Sequence, residues 1–305
     1  MSRKRKIGLA LAAVAVIAAG AYDWLFLESP ALEGKFEIDL AEVGRLAASL
    51  PGEGPREILY EHVVDFGAWD AITITGGSWA PSILWGVAYQ FVYSDHHTEI
   101  LDTAMSVQQA KDLGSMKNYD GEAYTRVLNA MSKASRIFLT HEHPDHIGGL
   151  AAHPDLTRLL ATTVQLTKEQ TGSTKMAPVK FGAGTFDKYK PLDYGRYLAL
   201  GPGVVLIKSP GHAPGSQMVY IRKVDGTELL FLGDVAWTMR NLELVKGKSR
   251  LIGLIVGEDR DAVLRQLAAL HGLRAAEPRL VIVPGHDGGT INDLAKRGVI
   301  VERFQ

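Results

Sequence analysis

The stretch Ile137–Leu150, reading IFLTHEHPDHIGGL, constrains this chain more than any other. Ile137 to Thr140 suits a buried strand. Side chains on an extended backbone alternate, so His141 and His143 leave the strand end on the same side. Pro144 stops the strand, and the turn after it can swing Asp145 and His146 toward the same space. Three imidazoles and a carboxylate within one short segment make a donor set suited to a borderline metal such as zinc.

A lone histidine at a strand end is ordinarily a polar side chain with a hydrogen-bond partner. A chance H-x-H-x-D-H in a chain of this composition is on the order of one in a thousand. A buried cluster of histidines without metal would also be hard to satisfy by hydrogen bonds. The segment therefore reads as half of a metal centre.

The rest of the composition narrows the classes. With 46% apolar and 22% charged residues, the chain is globular and long enough to bury a sizeable core. The net charge is −1, and setting aside Arg3, Lys4, Arg5 and Lys6 leaves an acidic body, so nucleic acid is not an expected partner. The absence of cysteine excludes disulfides, thiolate ligands, a cysteine nucleophile and a lipidated cysteine.

The N-terminus carries an address. The cluster Arg3–Lys6 precedes an uncharged run, Ile7–Tyr22, the pattern of a signal peptide or short membrane anchor. Ala19-Gly20-Ala21 offers a site for cleavage, whereas Trp24–Leu27 extends the apolar span past Asp23, and both outcomes stay open. Either way the body is expected outside the cytoplasm, in the periplasm or an equivalent space, tethered to the inner membrane by residues 7–27 if uncleaved. The expected division is residues 1–27 as leader or anchor, 28–56 as linker and short helix, and 57–305 as the folded domain.

Along the body, Asp39 suits an N-cap for a helix through Leu50. Ile58–Phe66 and Ala71–Thr75 read as strands, followed by the aromatic stretch Trp79–Tyr93 and a strand over Glu99–Asp102. Ser106–Leu113 and Gly121–Ala134 read as helices. Residues 166–195 are the least regular part, with Lys168, Lys175, Lys180, Lys188 and Lys190 expected to face solvent and the loop expected to contact substrate. Val204–Ile207 is a strand, Met218–Lys223 and Thr227–Leu232 form a hairpin about Asp225-Gly226, Asp261–Leu270 is a helix and Leu280–Val283 a strand.

Three later positions share one context: His212 in SPGHAPGS, Asp234 in FLGD and His286 in VPGHD each follow an apolar strand and neighbour glycine. Taken with His141, His143, Asp145 and His146, their order and spacing resemble the metallo-β-lactamase superfamily, over roughly Tyr89 to the C-terminus. The resemblance implies an α+β, four-layer αβ/βα sandwich: two mixed β-sheets face to face, helices outside and metals at one rim. It implies two divalent ions, zinc first among Zn, Fe and Mn. His141, His143 and His212 would hold one, Asp145, His146 and His286 the other, and Asp234 would bridge them. It further implies a hydrolase in which a metal-bridging hydroxide attacks a small-molecule carbonyl substrate, with Asp145 as catalytic proton acceptor and donor. Asp102, at its own strand end, is either a partner orienting a ligand histidine or a plain strand-end cap.

An aspartate at position 234, with no cysteine among the ligands, resembles the glyoxalase II and lactonase branches. YQFVYSDHHTEILDTAMS and the terminal GHD look most like N-acyl-homoserine lactonases. Those enzymes commonly carry tyrosine three residues after the bridging aspartate, where this chain has Trp237, an indole that cannot act as a phenol would. The first expectation is thus hydrolysis of a lactone, ester or thioester. Glyoxalase II-like thioester cleavage and β-lactam hydrolysis are alternatives, as is a non-catalytic metal-binding role on the same scaffold. Trp79, Trp85 and Trp237 are either pocket lining or core. His62, His96, His97, His153 and His271 lack the ligand context, and nothing in the sequence sets an oligomeric state.

Overall fold

The computed structural model describes residues 2–305. Two sheets lie at the centre. The first has the order β11-β1-β2-β3-β5, from Val301–Glu302, Glu57–Trp69, Pro81–Val92, Thr98–Leu101 and Arg136–Phe138, with β4 (Met116–Tyr119) paired to part of β1. The second has the order β10-β9-β8-β7-β6, from Val281–Val283, Glu228–Phe231, Gln217–Arg222, Val204–Lys208 and Tyr197–Gly201. Both are mixed: β3 with β5, β1 with β11 and β9 with β10 run parallel, and the other pairs run antiparallel.

The two-residue period of a strand explains the layering. In β7, Val204 and Leu206 point inward and meet Tyr89, Phe91 and Phe138 of the first sheet. Val205 and Ile207 point outward onto Val263, Leu267 and Leu270 of the helix Arg260–Ala276. On the other flank Leu59, Val63 and Ile100 pack on Val127 and Met131 of the helix Gly121–Lys133 and on Ile147 of the helix Pro144–Ala152. The order is helix, sheet, sheet, helix, the four-layer sandwich expected. Strands covered on both faces read as unbroken apolar runs, and each fully buried aliphatic side chain adds about 1.5–3 kcal/mol of burial. Asp39, Asp120 and Asp259 cap three of the helices through their carboxylates.

One expected strand is absent. Ala71–Thr75 gives way to a single helical turn, Asp70–Thr73. β1 runs on to Trp69, which pairs with Pro81, so the intervening residues must reverse the chain. Asp70 organises the reversal by accepting from Ser78 N at 3.3 Å and from Arg240 at 2.7 Å.

The stretch 28–39 has no regular structure, yet it is laid on the body: Arg260 donates to Glu28 O at 2.8 Å, and Phe36 and Ile38 pack on the second sheet's outer core. The helix Arg3–Tyr22 and a π-helical turn, Asp23–Leu27, precede it.

Candidate metal centre

The loops leaving β5, β7, β9 and β10 converge at one rim. After Phe138 the chain stays extended and buried through His141, and Glu142 points away from the rim to accept from Gly215 N at 3.2 Å. The alternation that puts Glu142 behind puts His141 and His143 in front, as the sequence requires. Pro144 does more than end the strand: it opens the helix Pro144–Ala152, a position where its missing N–H costs nothing. Asp145 and His146 therefore sit in a first helical turn rather than an irregular one.

All seven candidate ligands meet. His141, His143, His212 and Asp234 form one group and Asp145, His146 and His286 a second, with the donor atoms of each within 4.8 Å of one another. His143 Nδ1 lies 3.0 Å from His141 Nε2 and 2.8 Å from His212 Nε2. Asp234 spans the groups: its Oδ2 is 3.2 Å from His212 Nε2 and 3.1 Å from His286 Nε2, while its Oδ1 is 3.3 Å from His146 Nε2 and 3.0 Å from His286 Nε2. Asp145 Oδ2 closes the second group at 3.5 Å from His286 and 3.6 Å from His146.

The outward nitrogens of three of the rings are engaged. His146 Nδ1 donates to Asp102 Oδ2 at 2.8 Å, His286 Nδ1 to Trp85 O at 2.8 Å and His212 Nδ1 to Glu258 Oε2 at 2.8 Å. These partners fix the proton on the outer nitrogen and leave the inner lone pair free. The inner atoms thus face one another as acceptors with too few protons to share. Among the described residues, His146 Nε2 and Asp234 Oδ1 are buried with no hydrogen-bond partner. A cage of nitrogen and oxygen lone pairs of this kind suits divalent metal binding and is costly without it.

The electrostatics divide the rings. Burial works to lower His146 and His286, but the carboxylates around them outweigh it (Asp145, Asp102 and Asp234 for His146, Asp234 and Asp145 for His286) and raise both above the usual histidine range, so a cation bound there displaces a proton. Burial, reinforced by neighbouring imidazoles, holds His141 and His143 well below the usual histidine range, so both rings are neutral and ready to ligate. For Asp234 burial works toward protonation, but the surrounding His286, His141, His146 and His212 outweigh it and hold the carboxylate well below its usual range.

Asp102 holds a candidate ligand. Besides His146, it accepts from Thr140 N at 2.7 Å and Thr140 Oγ1 at 2.8 Å. Its φ of 59° lies in the left-handed region, which an aspartate tolerates better than most residues and which turns the carboxylate back toward the rim. Gly233, at φ 52°, is needed for contact as well as conformation, since a Cβ there would stand 2.8 Å from Thr140 Cβ.

Sequence reasoning missed Glu258 and Lys248. Lys248 Nζ is buried between Asp234 O, at 2.7 Å, and Glu258 Oε2, at 2.6 Å, so one buried ion pair braces both a candidate bridge and a candidate ligand histidine. No local pattern announces either residue.

A cavity of about 590 Å³ opens over the donors, walled by Phe66, Leu84, Leu113, Trp237, Ile255 and Val256, with Thr174, Lys175, Ala177 and Pro178 from the irregular insert. The insert thus reaches the cavity. Lys168, Lys180, Lys188 and Lys190 are exposed, but Lys175 is drawn in to donate to Val256 O. Of the three tryptophans, only Trp237 borders the cavity, its Nε1 donating to Asp234 Oδ2 at 2.6 Å. Trp85 stacks on His62, and Trp79 lies at the surface against Phe26. His62, His97, His153 and His271 are hydrogen-bonded elsewhere.

Sandwich and rim together define the class of metal-dependent hydrolases. The metallo-beta-lactamase superfamily model matches residues 96–286, most of the chain, and the chain belongs to that superfamily. Its fold is similar to that of a quorum-quenching N-acyl homoserine lactone lactonase, at 17% identity and a TM-score of 0.61, with 79% of this chain and 96% of that one covered. The same figures hold for an N-acyl homoserine lactone hydrolase with the product N-hexanoyl-L-homoserine at its catalytic metal centre. A probable metal-dependent hydrolase from Staphylococcus aureus is similar at 14% identity and a TM-score of 0.56, covering 78% of this chain and 91% of that one. No curated protein is similar enough in sequence to match.

Proposed function

We propose that this protein is a dinuclear hydrolase of a lactone, ester or thioester bearing an apolar acyl group. His141, His143 and His212 hold one divalent ion and Asp145, His146 and His286 a second, zinc being the natural choice for this donor set. The observation that carries this reading is Asp234, whose buried carboxylate lies between the two donor groups, within 3.2 Å of His212 on one side and within 3.3 Å of His146 and His286 on the other. Bound there, two such ions supply Lewis acidity that acidifies water near neutral pH and polarises a carbonyl.

The chain's own residues do the rest. Asp145 is the proton carrier: its side chain is 18% exposed, against 4% for Asp234, so of the two carboxylates lining the cavity it is the more open to water. Asp102, Glu258 and the Trp85 carbonyl keep three imidazoles in the ligating tautomer. Phe66, Leu84 and Ile255 exclude water from the acyl group. Trp237 gives its one N–H to Asp234 and has none left for a leaving oxygen. That favours thioester cleavage as a second reading, because a thiolate departs with less need of a proton than an alkoxide. The protein works outside the cytoplasm, held at the membrane by residues 7–27.

The test is elemental analysis of the full-length chain, followed by parallel assays on an acyl-homoserine lactone, an S-acyl glutathione, a cephalosporin and a p-nitrophenyl ester. Two ions per chain and turnover of at least one acyl substrate, lost in Asp145→Ala with metal retained, are expected. A fully metallated chain that turns over none of them overturns the reading.

A further inference from the structure

The exposed apolar side chains near the cavity mouth are not scattered. The helix Arg3–Tyr22 and the turn Asp23–Leu27 form one apolar element, Arg3–Leu27, with a mean hydropathy of 1.9 over its best window and only 6% of that window buried. At about 1.5 Å per residue this length crosses a bilayer. Its C-terminal end is fastened to the body without a spacer. Trp79 Nε1 donates to Tyr22 OH at 3.1 Å, Gly76 N to Phe26 O at 2.7 Å and Arg250 Nε to Trp24 O at 3.1 Å, with the Arg250 guanidinium 4.7 Å above the Trp24 ring.

Those contacts fix the level of a membrane surface relative to the body. Trp24, Trp69 and Trp79 are 46%, 49% and 48% exposed and stand together at the end of the apolar element, Trp69 and Trp79 edge to face at 6.5 Å. Tryptophan and tyrosine favour the depth at which a bilayer meets water. Arg250 also opens the helix Arg250–Val256, whose next turn presents Leu254 and Ile255, 61% and 69% exposed, and Ile255 and Val256 border the cavity. One continuous path therefore runs from the apolar element through Trp24 and Arg250 to the mouth.

We propose that the cavity mouth is seated on the bilayer, with Trp24, Trp69, Trp79, Leu254 and Ile255 in its interfacial layer. The acyl chain of an amphiphilic carbonyl substrate then enters from the membrane rather than from bulk water. The seat itself rests on residues 3–27 being an anchor; the hydrolase reading enters only through what occupies the cavity. A bilayer is the occupant because the chain's own spanning element leaves from this face, which leaves no tether long enough to lift the mouth away.

Because the chain has no cysteine, single spin labels can be placed cleanly. Ile255→Cys and Leu254→Cys are labelled in the full-length chain, with Val224→Cys as control, since the β8–β9 hairpin lies at the opposite end of its strands from the rim. Chains are placed one per nanodisc of phosphatidylcholine and phosphatidylglycerol, and collisions with oxygen and with a nickel chelate are measured. The expected result is an oxygen-to-nickel ratio several-fold higher at residues 254 and 255 than at 224. Equal, water-like ratios at all three positions overturn the seat. If both reagents are excluded at 254 and 255 in crowded discs but not in single-chain discs, a second copy covers this face and the proposal fails. Release of the chain from vesicles by carbonate removes the anchor, and with it the seat, while leaving the hydrolase reading intact. An inactive chain with oxygen-rich labels does the reverse.

Discussion

Removing the Lys248 ammonium tests whether the buried pair behind the rim holds the site together. Lys248 and Glu258 have side chains that are 1% and 0% exposed and meet at 2.6 Å. Burial alone would push the Glu258 carboxyl up; Lys248, and then His212, outweigh it and bring it from 4.5 down to about 2. At 1.36 kcal/mol per pH unit that displacement corresponds to about 3 kcal/mol of stabilisation of the charged form. Lys248→Met removes the larger source and also strips a donor from the Asp234 carbonyl, so the expected cost is about 3–5 kcal/mol, the range for a broken buried pair. Denaturant unfolding of the metal-free, detergent-solubilised chain measures it.

The pH dependence has a definite sign. A carboxyl lowered on folding contributes stability that is complete above its unfolded value and is lost as pH falls through the folded one. The Glu258 contribution is therefore present at neutral pH and disappears between about pH 4.5 and about 2. In Lys248→Met the lowering of Glu258 shrinks, so less stability is lost on acidification and its loss is complete at a higher pH, and Lys248→Met combined with Glu258→Gln costs clearly less than the two single changes summed. A cost for Lys248→Met under about 1 kcal/mol, or no coupling with Glu258→Gln, refutes the bracing argument.

Asp102→Asn removes the acceptor that fixes His146, and a loss of about 10- to 100-fold in affinity for one of two metals is expected by competitive titration, the other binding step being nearly unchanged. Gly233→Ala meets both a left-handed φ and Thr140 Cβ at 2.8 Å, and thermal unfolding is expected to show a loss of about 1–3 kcal/mol. Trp237→Tyr places a phenol beside Asp234, and oxygen-ester or lactone turnover should rise relative to thioester turnover in matched kinetic assays. Cutting the apolar wall with Leu84→Ala is expected to raise KM for a long-chain acyl substrate more than for an acetyl one, read as the ratio of kcat/KM values.

The sequence displayed the parts of the site that local rules govern. Alternation along an extended chain put His141 and His143 on one side and Glu142 on the other. An apolar strand followed by glycine marked the stops that carry His212, Asp234 and His286. The hidden parts depend on partners far apart in the chain. His212 and Glu258 are 46 residues apart, and neither belongs to a periodic pattern that could announce the bond. The reversal at Asp70 was misread for a related reason. Ala71–Thr75 has the composition of a strand, but the pairing of Trp69 with Pro81 leaves room only for a turn. β6 escaped notice because Tyr197–Gly201 is a half-buried edge that becomes a strand only through its pairing with β7.

The division between rigid and variable parts of the rim follows from what carries each. The donors hang from the ends of β5, β7, β9 and β10 and are braced by Thr140, Asp102, Glu258 and Lys248, whose side chains are all buried. The cavity walls come from the insert 166–195, the helix Arg250–Val256 and Leu113, all outside the two sheets, together with Phe66 of β1 and Leu84 of β2. Changes to the other walls can therefore retune which acyl group is accepted without moving the donors, because of the wall residues only Trp237 is hydrogen-bonded to donor residues, its Nε1 donating to Asp234 and its carbonyl accepting from His286 N. Trp237 is the one position where metal chemistry and substrate choice cannot be altered separately. A substitution there should move both the metal affinity and the substrate ratio, whereas Leu84→Ala should move the ratio alone.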